Sequence, residues 1–102
     1  MEITLRDKIE DALHTVYDPE IPVNIYDLGL VYAIKINDNN NVHITMTLTA
    51  PACPAAPDII FDAESKVRAI EGVNDVHIQL TFDPPWTKEM MSEEAKLELG
   101  FL

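Results

Sequence analysis

The sequence predicts an α/β (α+β) fold: a small mixed three-stranded sheet with helices, in the order α-β-β-α-β-α. Three observations predict it. Apolar residues recur at helical spacing over residues 4–16 and 57–71, and they alternate over 30–36, 42–49 and 76–82. A run of Asn and Asp at 37–41 joins the first two alternating segments, which makes them an antiparallel hairpin. A helix-length segment joins the second and third, which makes those parallel.

Taken in order, the first helix carries Leu5, Ile9, Ala12, Leu13 and Val16 inward. Thr4 and Asp7 stand where a capping pair belongs. Asp18-Pro19 stops the helix, because a residue before Pro avoids helical backbone. The first strand places Leu30, Tyr32, Ile34 and Ile36 on one face. The second places Val42, Ile44, Met46 and Leu48 inward, with His43, Thr45, Thr47 and Thr49 on the polar side. A Pro-rich loop, Ala50 to Ala56, holds Cys53. The second helix has Pro57 at its first position, turns Ile59, Ile60, Ala63, Val67 and Ile70 inward, and ends at Gly72. The third strand turns Val76, Ile78, Leu80 and Phe82 inward until Asp83-Pro84-Pro85-Trp86 breaks it. Ser92 caps a short last helix reaching Leu99.

A chain of 102 residues, 47% of them hydrophobic, suits one domain, 1–102, around one core. Seven basic against eighteen acidic residues give a net charge of −11. That field repels phosphate backbones and anionic lipid, so nucleic acid and membrane surfaces are poor partners. It favours a basic protein surface or a cation; solubility alone is the plainer reading. No apolar run approaches the roughly 20 residues of a membrane helix. Met1 to Leu5 lacks the blocks of a signal peptide, and the expectation is a cytoplasmic protein. A single Cys rules out an internal disulfide framework and any site needing several thiolates from one chain.

The topology brings three loops to one edge of the sheet: 18–29 before the first strand, the Cys53 loop after the second, and 83–86 after the third. Ligand sites gather at such edges. Cys53 stands just before a helix start, where a thiolate gains about 0.3–1 kcal/mol from the helix dipole. Asp18, Glu20, Asp27, Asp58 and Asp83 oppose it by raising the thiol pKa. The sequence leaves open which term wins.

The runs DPEIPVNIYDLGLVY (Asp18 to Tyr32), TMTLTAPACP (Thr45 to Pro54) and EGVNDVHIQLTFDPPW (Glu71 to Trp86) resemble the SufT/PaaD-like family of metal–sulfur cluster biosynthetic proteins. The resemblance covers nearly the whole chain. It implies an iron–sulfur-cluster-assembly-domain-like fold and a role in maturing iron–sulfur proteins, either delivering clusters or helping the sulfur-mobilising scaffold. By the resemblance, the acidic motif falls on Asp18, Glu20 and Asp27, the threonine-and-cysteine motif on Thr47, Thr49 and Cys53, and the aromatic loop on Pro85 and Trp86. Two positions depart from relatives: Ala50 stands where some have Thr, and Pro57 where many have Gly.

Each candidate has a plainer role. Cys53 is a functional thiol or a small buried hydrophobe. Asp18, Glu20 and Asp27 are site carboxylates or turn formers, with Asp27 the most structural in character. Thr47 and Thr49 orient a ligand or simply suit a half-solvated strand. His43 and His77 fall on the polar sheet face, and His43 stands on the order of 20 Å from Cys53 at ~3.3 Å per residue, too far for a Cys–His dyad. Trp86 and Met90-Met91 form either a lid on the core or an apolar contact for a partner.

An iron–sulfur cluster takes about four protein ligands, and one thiolate cannot hold it. The function the resemblance implies is an accessory factor rather than an enzyme. Cys53, as reactive thiol and metal ligand, holds one corner of a labile cluster shared between chains. The remaining ligands come from a second copy in a homodimer, an apo iron–sulfur client or a small thiol. Sulfur-mobilisation and cluster scaffold proteins are the other expected partners. The alternatives are a docking subunit of a phenylacetate-type oxygenase and a stand-alone cysteine thiol-transfer enzyme.

Overall fold

The computed structural model describes residues 3–19, 21–49 and 54–101. Helix α1 (Leu5–Leu13) opens on a complete capping box, with the Asp7 N–H donating to Thr4 Oγ1 and the Thr4 N–H to Asp7 Oδ2. It closes at Leu13, short of Val16. The Thr15 hydroxyl and the Thr15 N–H both donate to the Ala12 carbonyl, and this local bond competes with further helix. Val16 is nevertheless fully buried.

Strand β1 (Val31–Ile36) and strand β2 (Asn41–Met46) form the antiparallel hairpin. Asn37 builds the turn: its Oδ1 accepts from the N–H of Asn39 and of Asn41. Asn40 takes φ 60, the left-handed backbone that Asn tolerates. Helix α2 (Ala56–Arg68) follows, then strand β3 (Asp75–Leu80), a 3-10 turn at Lys88–Met90, and helix α3 (Glu93–Glu98) capped by Ser92 Oγ. The sheet order is β1-β2-β3, and β2 and β3 run parallel in register from Asn41/Asp75 to Met46/Leu80. The expected mixed α+β architecture is the observed one.

Several details differ from the pattern. Pro57 is the second residue of α2, not the first, and Gly72 (φ +102) lies beyond a helix already ended at Ala69. A bulge between Val31 and Ala33 makes Tyr32 an extra residue, so it does not share a simple inward face with Ile34 and Ile36. Leu80 and Phe82, read as inward, are exposed. Leu80 ends an edge strand, which has a sheet neighbour on one side only, and Phe82 lies beyond it. Thr47, read as polar-face, is fully buried. β2 ends at Met46, and the Thr47 N–H turns to the Leu30 carbonyl (2.8 Å), so the alternation stops and Met46, Thr47 and Leu48 are buried in succession.

The core joins Ile9, Leu13 and Val16 of the first helical segment to Ile44 and Met46 of β2 and to Ile59, Ala63 and Val67 of α2. Each large aliphatic side chain fully buried there contributes about 1.5–3 kcal/mol. The opposite sheet face keeps Lys35, His43, Thr45, His77 and Gln79 half-buried or exposed. Among the described residues, no helix is long and apolar enough to cross a membrane.

Candidate functional site

The described parts of the 18–29 and 83–86 loops meet at the end of the sheet where β1 begins and β2 and β3 end, while residues 50–53 of the third loop lie outside the described residues. Four hydrogen bonds fasten them. The Thr81 N–H donates to the Met46 carbonyl (2.9 Å), and the Ser92 N–H to the Asp27 carbonyl (2.8 Å). The Trp86 Nε1–H donates to the Leu28 carbonyl (2.6 Å), and the Tyr32 hydroxyl to the Pro84 carbonyl (2.8 Å). The Asp83-Pro84 peptide is cis. Between these segments opens a groove of about 530 Å³ lined by Gly29, Val31, Tyr32, Pro84 and Met90. It is largely apolar, with one hydroxyl and one thioether, 3.6 Å apart.

Gly29 makes this closeness possible. Its φ is +81, and a Cβ there would run into the Met90 backbone carbonyl. Only glycine combines that backbone with that approach.

Asp27 is held on several sides. Its N–H donates to Asn24 Oδ1 and its Oδ2 accepts from Asn24 Nδ2, both at 2.9 Å. His14 Nε2 stands 3.6 Å from Oδ1. This is turn chemistry, with Asn24 and Asp27 closing a reciprocal pair. His14 also lies against the Tyr26 ring, centroids 4.3 Å apart. Burial, and then the Glu10 carboxylate, hold the Tyr26 hydroxyl above the ordinary tyrosine range. Asp18 is 5% exposed, and its carbonyl accepts from the Ile21 N–H. Thr49 is half-buried. Trp86 is half-buried and packed on the core. Met91 is buried while Met90 lines the groove. Glu20 and Cys53 lie outside the described residues. Among the described residues, no three His, Cys, Asp or Glu side chains come together to hold a metal.

Tyr32 does not stand out in the sequence as a groove residue, whereas Met90 is one of the candidate contact residues there. Alternation assigned Tyr32 to the strand interior, and a bulge leaves no mark in a period-two pattern. Asn24 was also missed, although its spacing from Asp27 suits a side-chain turn.

Residues 6–80 match the family described as iron-sulfur cluster assembly protein. A Porphyromonas gingivalis protein called Fe-S protein maturation auxiliary factor is 62% identical over 90 residues, covering 88% of this chain and 86% of its own. The Bacillus subtilis Fe-S protein maturation auxiliary factor YitW is 41% identical over 100 residues, 98% of each chain. The crystal structure of a domain of unknown function, DUF59, from Bacillus anthracis superposes with a TM-score of 0.90 at 39% identity, covering 96% of this chain and 93% of that one. Sequence and fold agree over the same span, and this chain belongs to the iron–sulfur cluster assembly protein family.

Proposed function

We propose that this protein is an accessory factor in the maturation of iron–sulfur proteins and that it works through Cys53. The observation that carries the role is the 62% identity, over most of both chains, to a relative named as such a factor. The role is that of an assembly factor and not a catalyst. The cluster, or the sulfur that builds it, is cargo. One thiolate per chain supplies one of about four ligands; a second copy, a client or a small thiol supplies the others.

The described rim supports this reading. The neighbouring groove offers apolar surface and the Met90 thioether, suited to an apolar side chain of a docked client. His43 and His77 each stand three residues before the ends of their strands, which argues against either as the base of a stand-alone cysteine enzyme.

Replacing Cys53 by Ala is expected to abolish maturation of iron–sulfur clients in cells while leaving the thermal midpoint within a few degrees of wild type. Anaerobic reconstitution with iron and sulfide, read by absorbance and by mass, is expected to give less than one cluster per chain in a dimer or mixed species. Wild-type maturation by the Ala variant would remove the thiol from the mechanism.

A further inference from the structure

Away from the rim, the open sheet face carries a second feature. His43 and His77 are register partners on adjacent parallel strands. Their ring centroids lie 4.9 Å apart, with the planes tilted 47°. With metal–nitrogen bonds of about 2.0–2.1 Å, two imidazoles sharing one ion hold their centroids roughly 4.5–5.2 Å apart, from square-planar to tetrahedral angles. The observed spacing falls inside that interval with the strands as they stand.

Two more observations bear on the pair. His43 Nε2 lies 3.2 Å from Gln79 Oε1; in the neutral tautomer that donates to this oxygen, Nδ1 keeps its lone pair. Metal-bound histidines are commonly fixed in this way, one ring nitrogen donating to an oxygen. A concavity of about 340 Å³ opens beside the pair, lined also by Asn41, Asp75 and Lys35. Lys35 is the opposing term, since it is the cross-strand partner of His43 and carries positive charge. The Asp75 carboxylate is engaged by Arg68 at 2.6 Å, so it adds negative field and not a third bond. A net charge of −11 raises the local concentration of cations.

We propose that His43 and His77 form a two-sided site for a divalent first-row transition ion, its remaining positions open to water or to a donor from a partner. The site is separate from the rim and does not rest on the role assigned to Cys53. Both imidazoles bind the ion as neutral ligands, so protons compete with it.

The test uses the tag-free full chain carrying Cys53→Ser, so that the thiol does not compete for metal. Zn²⁺ is titrated while the imidazole ring signals are followed by NMR, and Cu²⁺ is then used in competition. The expected result is a joint shift of His43 and His77 that saturates at one Zn²⁺ per chain, with His14 unmoved and Cu²⁺ bound more tightly. His43→Ala is expected to abolish the His77 response and weaken binding at least tenfold; His77→Gln is expected to do the same to His43. Rings that titrate independently, a His77 response that survives loss of His43, or no saturation at millimolar Zn²⁺ would each overturn the site.

Discussion

Gly29 and Thr47 place opposite demands on the rim. At Gly29 the demand is absolute, because φ is +81 and the Met90 carbonyl occupies the space a Cβ needs. Gly29→Ala is expected to cost about 1–3 kcal/mol from backbone strain, with more from the displaced Met90 segment. A urea midpoint lowered accordingly, with altered Trp86 fluorescence, checks it. Thr47 is fully buried, yet among the described residues its hydroxyl donates only to the Leu48 carbonyl at 3.5 Å, near the limit of a useful bond. Thr47→Val keeps the shape and is expected to change stability by less than ~1 kcal/mol. If client maturation falls while stability holds, the hydroxyl serves the cargo; if neither changes, Thr47 is packing alone.

At the scale of elements, short structures are held by side chains at their ends. α3 is six residues long, too short to stand alone, and the Ser92 cap with the Asp27 carbonyl anchors its start. The C-terminal end of α2 is tied to β3 by Arg68, which donates to Asp75 Oδ1 and to Glu64 Oε1. Arg68 is the main cause holding the Asp75 carboxyl below its ordinary value of 3.8, with the Val76 N–H next. A depressed folded pKa contributes stability that is present above 3.8 and is lost as pH falls through the folded value. The thermal midpoint of wild type is therefore expected to fall more steeply below that pH than that of Asp75→Asn. Parallel curves would remove Asp75 from acid sensitivity. Because the pair is exposed, the difference is small.

For the whole molecule, charge is the dominant fact. A net −11 is carried on a body measuring 39 × 33 × 22 Å. At about 10 mM salt the Debye length is ~30 Å and the carboxylates repel across the entire protein; at about 150 mM it is ~8 Å. The thermal midpoint is expected to rise over that range, as repulsion is screened. A fall would mean that pairs such as Arg68–Asp75 and Lys66–Asp62 outweigh the net field. The same field makes association with a basic partner faster at low salt.

Local chemistry settled the elements. The Thr4–Asp7 cap, the Asn37–Asn41 turn, the Ser92 cap and the alternation of Val42, Ile44 and Met46 are written in neighbours along the chain, and each reappears in the structure. The rim was legible for a related reason: a hairpin followed by a parallel crossover forces the ends of β2 and β3 beside the start of β1. Contacts between residues far apart in the chain were not legible. Trp86 meeting Leu28, Tyr32 meeting Pro84, and Met90 closing over Gly29 depend on a bulge and on where a loop lands. Thr47 became buried for the same reason, since β2 leaves the ladder at Met46, three residues before the alternation ends, and the side chains beyond it no longer alternate. Periodicity records only the average environment of a strand, and packing at its ends is decided by the elements that arrive there from elsewhere.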